Sequence, residues 1–240
     1  IVSQGFNDHT IDAVEEVNTC GVRQGQEVIC DPIAGTDDRV GYYLQSRRNC
    51  AYRNGLFTGG IATVLPGLAG TPVQLGNKQG VLYEALVQQM VDYLGNMQID
   101  GGGGFGGWDY GNTEGDSGAD RAFGSLSQWA YIGLESAEVA GKPFGVIVNN
   151  RHKYRIPNHL HNNQGPEGGA SYRTSNVGCG CWADDNNHLT GGAIVANRWL
   201  EIDKMDPNSD RQPFNVGGNA YSTLTERQMV NDYRDYVKFI

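Results

Sequence analysis

With 240 residues, 39% of them hydrophobic, the chain is long enough to fill a substantial core, and its 35 glycines, spread without a three-residue period, exclude a collagen-like rod. A formal net charge of -9 with scattered Lys and Arg disfavours nonspecific binding to nucleic acid or an anionic membrane, both of which need clustered positive charge. No apolar run approaches the ~20 residues needed to cross a bilayer, so no transmembrane segment is expected.

The first fifty residues hold Cys20, Cys30 and Cys50, and Cys179 and Cys181 follow much later. An odd number of cysteines leaves at least one thiol free, metal-bound or paired outside the chain. The short loop between Cys20 and Cys30 predicts a disulfide there, and the Asn-rich, Lys-poor composition suits an extracellular or cell-envelope setting. Gln24 and the Tyr42, Tyr43 pair precede a helix rich in small residues, LFTGGIATVLPGLAG, over 56–70. A second helix, LVQQMVDYLGNMQ, is predicted over 86–98.

It runs into QIDGGGGFGGWDY, where glycines stand directly before Trp108 and Tyr110. Gly-rich runs behave as flexible linkers, but two large aromatic residues are costly to leave in water. The stretch therefore reads as an ordered turn between helices, with glycine supplying positive φ and close backbone approach. Next comes SLSQWAYIGLESAE (125–138), a helix with one broad face of apolar and small residues. A helix over 145–164 contains Pro157, which starts or kinks a helical turn, and His159 and His161, which read as a solvated helix end. After GGASY (168–172) the helix HLTGGAIVANRWLE (188–201) follows. TERQMVNDYRDYVKFI (225–240) has Thr225 as its N-cap and Met229, Tyr233, Tyr236 and Val237 on one face.

These parts recur. Gln98, Trp108, Tyr110 and the 125–138 helix are matched in order by Gln164, Tyr172 and the 188–201 helix, at offsets of about 62 to 66 residues. Thr58-Gly59-Gly60 echoes Thr190-Gly191-Gly192, so approximate repeats span 8–70, 78–140 and 145–203, with 224–240 beginning another. Each unit is a helical hairpin joined by a long Gly-rich loop, and such hairpins bury their apolar faces only by stacking on neighbours.

The order Gln, glycines, Trp or Tyr, then a small-residue helix such as SQWAYIGLESA resembles the repeats of the squalene-hopene cyclase and protein prenyltransferase β-subunit superfamily. The resemblance implies an all-α fold, an α/α toroid or partial toroid with inner and outer helices. It also implies that the glutamine caps an outer helix and that the aromatic residue stacks on the next repeat. About three and a half hairpins are visible, so the expectation is a shortened arc or one module of a longer chain.

The catalytic signatures of that superfamily are broken. The Asp-x-Asp-Asp acid of the cyclases is met here by Trp182-Ala183-Asp184-Asp185, and Asp116 with Asp120 reads as a loop and N-cap pair; an enzyme of this type would draw its acid from Asp184, Asp185 or Asp116. The Asp-x-Cys zinc pair of the prenyltransferases is replaced by Cys179-Gly180-Cys181. Cys179, Cys181, Asp184 and His188 still offer thiolate, carboxylate and imidazole ligands to zinc, but a disulfide with His188 capping its helix is the preferred reading, and no cofactor is expected. The glycine run lacks the Lys-Ser or Lys-Thr of a phosphate loop, and no Gly-x-Ser-x-Gly elbow occurs. The sequence thus points to a noncatalytic structural or interaction module, with an isoprenoid-handling enzyme or a glycan or peptide binder as alternatives. Its expected partners are other protein domains or subunits, met through residues 225–240.

Overall fold

The computed structural model describes residues 6–10, 40–44, 50–76, 78–99, 102–109, 122–174, 185–216 and 219–240. The fold is all-α in character: six α-helices, three short 3-10 helices and three two-stranded antiparallel ladders make up the described elements. Strand β1 (Phe6–Thr10) pairs with β2 (Val40–Leu44), with Asp8 opposite Tyr42 and Asn7 opposite Tyr43. The two tyrosines read from the sequence as a repeat marker thus lie in a β-ladder. Helix α1 (Cys50–Leu68) follows, then α2 (Tyr83–Asn96), α3 (Gly124–Gly141), α4 (Asn150–Asn162), α5 (Asn187–Trp199) and α6 (Glu226–Phe239). Between α4 and α5, β3 (Ala170–Ser171) pairs with β4 (Asp185–Asn186). Ahead of α6, β5 (Asn215–Val216) pairs with β6 (Asn219–Ala220).

The helix that the sequence extends over 145–164 is shorter. Residues 145–149 lie outside it, and the Asn149 side chain accepts from the Arg151 N–H at 2.8 Å, capping a helix that runs through Pro157 without ending there. At α6 the Thr225 cap is as expected, and Gln228 completes it by accepting from the Thr225 N–H at 2.9 Å.

Helices α1, α3 and α5 lie side by side as one layer, and α2, α4 and α6 form a second layer against them. Glycine sets the spacing within the first layer. A Cβ on Gly55 would stand 2.3 Å from the Trp129 carbonyl oxygen, and one on Gly133 would stand 2.5 Å from that of Gly55, so α1 and α3 meet backbone to backbone. Gly55 faces Trp129 and Gly59 faces Gly133 and Ser136, so the two helices run parallel. One core of buried residues spans both layers and includes Leu65, Leu86, Met90, Leu94, Trp108, Leu126, Leu134, Ile156 and Tyr236.

The expectation that the apolar face of 225–240 is left for a partner is modified by this packing. Met229, Val230 and Tyr236 are buried in the chain's own core, and the Tyr236 hydroxyl donates to the Leu160 carbonyl at 2.6 Å. Of the large apolar residues in this segment, only Val237 and, just past the helix end, Ile240 are well exposed; α6 packs its others against α4 and α5.

Candidate functional site

Gln98 and Gln164, singled out as repeated residues, each bridge two segments of the fold. Gln98 is buried, and its Nε2 donates to Gly106 O and to His152 O, both at 2.9 Å. Gln164 Nε2 donates to Gly168 O at 3.2 Å and to Asp232 O at 3.0 Å. Each glutamine therefore grips the positive-φ glycine of its own turn and a carbonyl of the next helix in the second layer. The resemblance implied a helix cap, but the amide does something different: it ties neighbouring hairpins together.

The glycines at this turn are needed for two reasons. Gly106 has φ +85, and a Cβ there would lie 2.0 Å from the Arg155 carbonyl oxygen; a Cβ on Gly107 would lie 2.5 Å from His159 Nδ1. Helix α4 clasps the turn that closely. Trp108, fully buried, donates from Nε1 to Leu94 O at 2.8 Å and meets Tyr131 edge-on at 5.7 Å. Its N–H donates to Ser127 Oγ at 3.1 Å, just as the Ala170 N–H donates to Thr190 Oγ1 at 2.8 Å. These polar and ring contacts of Trp108 lie within its own hairpin, while the Gln98 amide bonds to the next helix of the second layer. Tyr172 is half-buried and meets Phe123 edge-on at 5.7 Å.

His159 departs from its sequence reading as a solvated residue. It is 1% exposed, 6.2 Å from the Tyr131 ring, and burial pushes its imidazole down from 6.5 to about 3. Helix α4 is polar in sequence, and His159 is buried because it lies on the same helical face as Ile156 and Leu160. His161 is exposed as expected, and its hydrogen bond to Asp232, 2.8 Å away, raises its pKa.

Of the residues singled out for chemistry, Cys20, Cys30, Tyr110, Asp116, Cys179, Cys181 and Asp184 lie outside the described residues. Asp185 lies in β4, and His188 is exposed in the first turn of α5. Among the described residues, no group of three or more His, Cys, Asp or Glu side chains is placed to hold a metal ion.

A concavity of about 840 Å³ lies elsewhere: at the end of α3, the start of α4 and α6, and the segment after α5. One carboxylate oxygen organises its floor. Glu138 Oε2, on α3, accepts from Lys153 Nζ of α4 at 2.8 Å and from the Trp199 indole N–H of α5. Lys153 Nζ also sits 5.0 Å from the centre of the Trp199 ring, a cation-π contact. Beside it Tyr154 stacks on Phe214 at 4.6 Å. At the wall Arg211 pairs with Glu226, whose hydrogen bonds to Arg211 and Ser209 hold its carboxyl below the usual range. One turn before Glu138, burial and the Glu138 charge raise the pKa of Glu135.

Comparison with family models, with curated proteins and with solved structures returns no match for the chain.

Glu138 pairs with Lys153 and Glu226 with Arg211, and the floor of Trp199, Leu200 and Phe214 is buried, while Lys142, Glu201, Lys204 and Asp206 carry both signs around an exposed rim. The sequence carries a faint trace of the cleft in the adjacent Lys153 and Tyr154 and in Trp199 at a helix end. Nothing in their spacing, 46 residues from Lys153 to Trp199, joins them.

Proposed function

We propose that this chain is a noncatalytic interaction module of the extracellular space or cell envelope, built as a partial α/α toroid, and that its cleft receives a polypeptide segment carrying both charges. The toroid reading is supported by the parallel α1 and α3 in one layer, the second layer behind them, and the repeated Gln98 and Gln164 clasps. Composition supports the extracellular setting.

The observation that carries the interaction reading is the state of the cleft's charges. Lys153, Glu138, Arg211 and Glu226 are engaged in fixed pairs over an aromatic and apolar floor, and exposed groups of both signs ring the opening. Fixed pairs orient a partner without supplying a free acid or base. A peptide offers an apolar side chain for the floor beside Val139 and Met205 and charges for the rim.

Selection of a displayed peptide library on the purified chain tests this. Mixed-charge peptides with an apolar anchor are expected, and Val139→Asp or Lys204→Glu is expected to weaken them at least tenfold. Selected peptides indifferent to both substitutions would place recognition elsewhere. Turnover of squalene or a prenyl diphosphate by the chain, abolished by Asp184→Asn, would replace the reading with the enzymatic one.

A further inference from the structure

The charged pairs that line the cleft differ in exposure, and the difference gives the opening a polarity. Resting on the reading of the cleft as a peptide site, we infer that the bound segment presents a carboxylate to the outer edge of the Arg211 guanidinium, beside the apolar side chain that fills the floor.

Arg211 is fixed at its base. Its N–H donates to Ser209 Oγ at 3.2 Å, and its carbonyl accepts from the Glu226 N–H at 2.9 Å. The Ser209 carbonyl accepts from the Arg227 N–H at 3.0 Å, and two side-chain pairs, Arg211 with Glu226 and Arg227 with Asp210, cross between the same segments. Residues 209–211 are thereby laced along the first turn of α6. The head of the arginine points outward: its side chain is 71% exposed, whereas that of Glu226 behind it is 5% exposed. A guanidinium carries five N–H donors on a planar fork. Glu226 Oε1 accepts one of them, from Nη2, and among the described residues no other acceptor takes the rest.

The other two pairs offer no such opening. The side chains of Lys153 and Glu138 are 18% and 23% exposed, and Glu138 Oε2 also accepts from the Trp199 indole N–H. Those of Lys204 and Glu201 are 67% and 65% exposed, so that pair shows both signs equally. A cation entering the cleft therefore meets carboxylates that are already covered on the wall and floor, whereas an anion meets Arg211 directly. A carboxylate suits that edge because its two oxygens match two parallel N–H groups of the fork. Phe214, which stacks on Tyr154, lines the same cleft three residues on from Arg211, so the places for the acid and for the apolar anchor belong to one short segment. The carboxylate has two sources in a peptide, an Asp or Glu side chain and the chain's C-terminus.

Two random peptide libraries selected on the purified full chain test this. One is held within a loop of its display protein and offers only side-chain carboxylates; the other ends in a free C-terminus. Wild type is expected to select peptides with an acid at a fixed spacing from an apolar residue, and the library that yields them identifies the source. For a selected peptide, converting that acid to its amide is expected to weaken binding to wild type about tenfold or more, the range of a hydrogen-bonded charged group. The same conversion is expected to change binding to Arg211→Gln by less than about twofold. Arg211→Lys, which keeps the charge but loses the fork, should fall between. Because Arg211→Gln strips Glu226 of its counterion, the double variant Arg211→Gln with Glu226→Gln replaces it if circular dichroism shows the single variant to be unfolded. Peptides that need Val139 but carry no acid overturn the inference and leave the cleft reading standing. So do peptides whose amide conversion costs as much with Arg211→Gln as with wild type. Selection of no peptide that depends on the cleft overturns both.

Discussion

The side chain of Gln98 donates a 2.9 Å hydrogen bond to the main-chain carbonyl of His152, fifty-four residues further along, and Gln164 makes the corresponding bond to Asp232 in the next interval. The two bonds are alike in pattern but differ in environment, since Gln98 is 1% exposed and Gln164 is half-buried. Removing the buried amide strands two carbonyls away from water, at about 1 to 3 kcal/mol each. Gln98→Ala is therefore expected to destabilise by about 2 to 4 kcal/mol and Gln164→Ala by about 1 kcal/mol in urea unfolding. Equal losses would mean that the buried clasp is no stronger than the exposed one.

Gly106 and Gly80 separate backbone strain from crowding. Both have positive φ, +85 and +91, but only at Gly106 would a Cβ strike a neighbour, the Arg155 carbonyl. Gly80→Ala should cost about 1 to 2 kcal/mol, the penalty of left-handed backbone alone. Gly106→Ala adds displacement of α4 and should cost at least about 2 kcal/mol more, read from the same unfolding curves.

Trp108 fills the space between α2 and α3 with its indole N–H satisfied by Leu94. Trp108→Ala is expected to cost about 3 to 5 kcal/mol, as other large-to-small changes in cores do. A loss below about 1 kcal/mol would return the glycine run to the class of flexible linkers.

His159 predicts an acid-sensitive fold. Its folded pKa, about 3, lies below the ordinary value of 6.5, so the unfolded chain takes up the proton first as pH falls. The stability that neutral His159 permits is present above pH 6.5 and is lost progressively as pH falls toward about 3, below which both states are protonated. His161 works in the opposite direction: its raised pKa, due first to the hydrogen bond it donates to the Asp232 carboxylate, contributes stability below 6.5 that is lost as pH rises through the folded value. Substituting His159→Leu should shift the comparison with wild type steadily toward the variant between pH 6.5 and pH 4. A difference independent of pH, measured by urea midpoints, would mean that His159 is not held neutral.

The helices and their order were legible in the sequence because the signals for them are local. Small-residue faces with helical spacing marked α1, α3 and α5, Thr225 marked the start of α6, and Gln98 and Gln164, 66 residues apart, marked the ends of the first helices of successive units. The glycine turn was legible for the same reason, since aromatic residues beside glycine demand burial. Tertiary structure alone decided where polar groups went. His159 stands in a stretch that reads as a solvated helix end, and the close approach of Gly107 to its ring, like that of Gly95 to the His152 ring, makes room for its burial. It also decided what Gln98 does: an amide can cap its own helix or reach another, and the choice depends on a carbonyl fifty-four residues away. The cleft arises in the same way, because Glu138, Lys153 and Trp199 meet only through the packing of three helices, and periodicity within one helix carries no information about what stands opposite it.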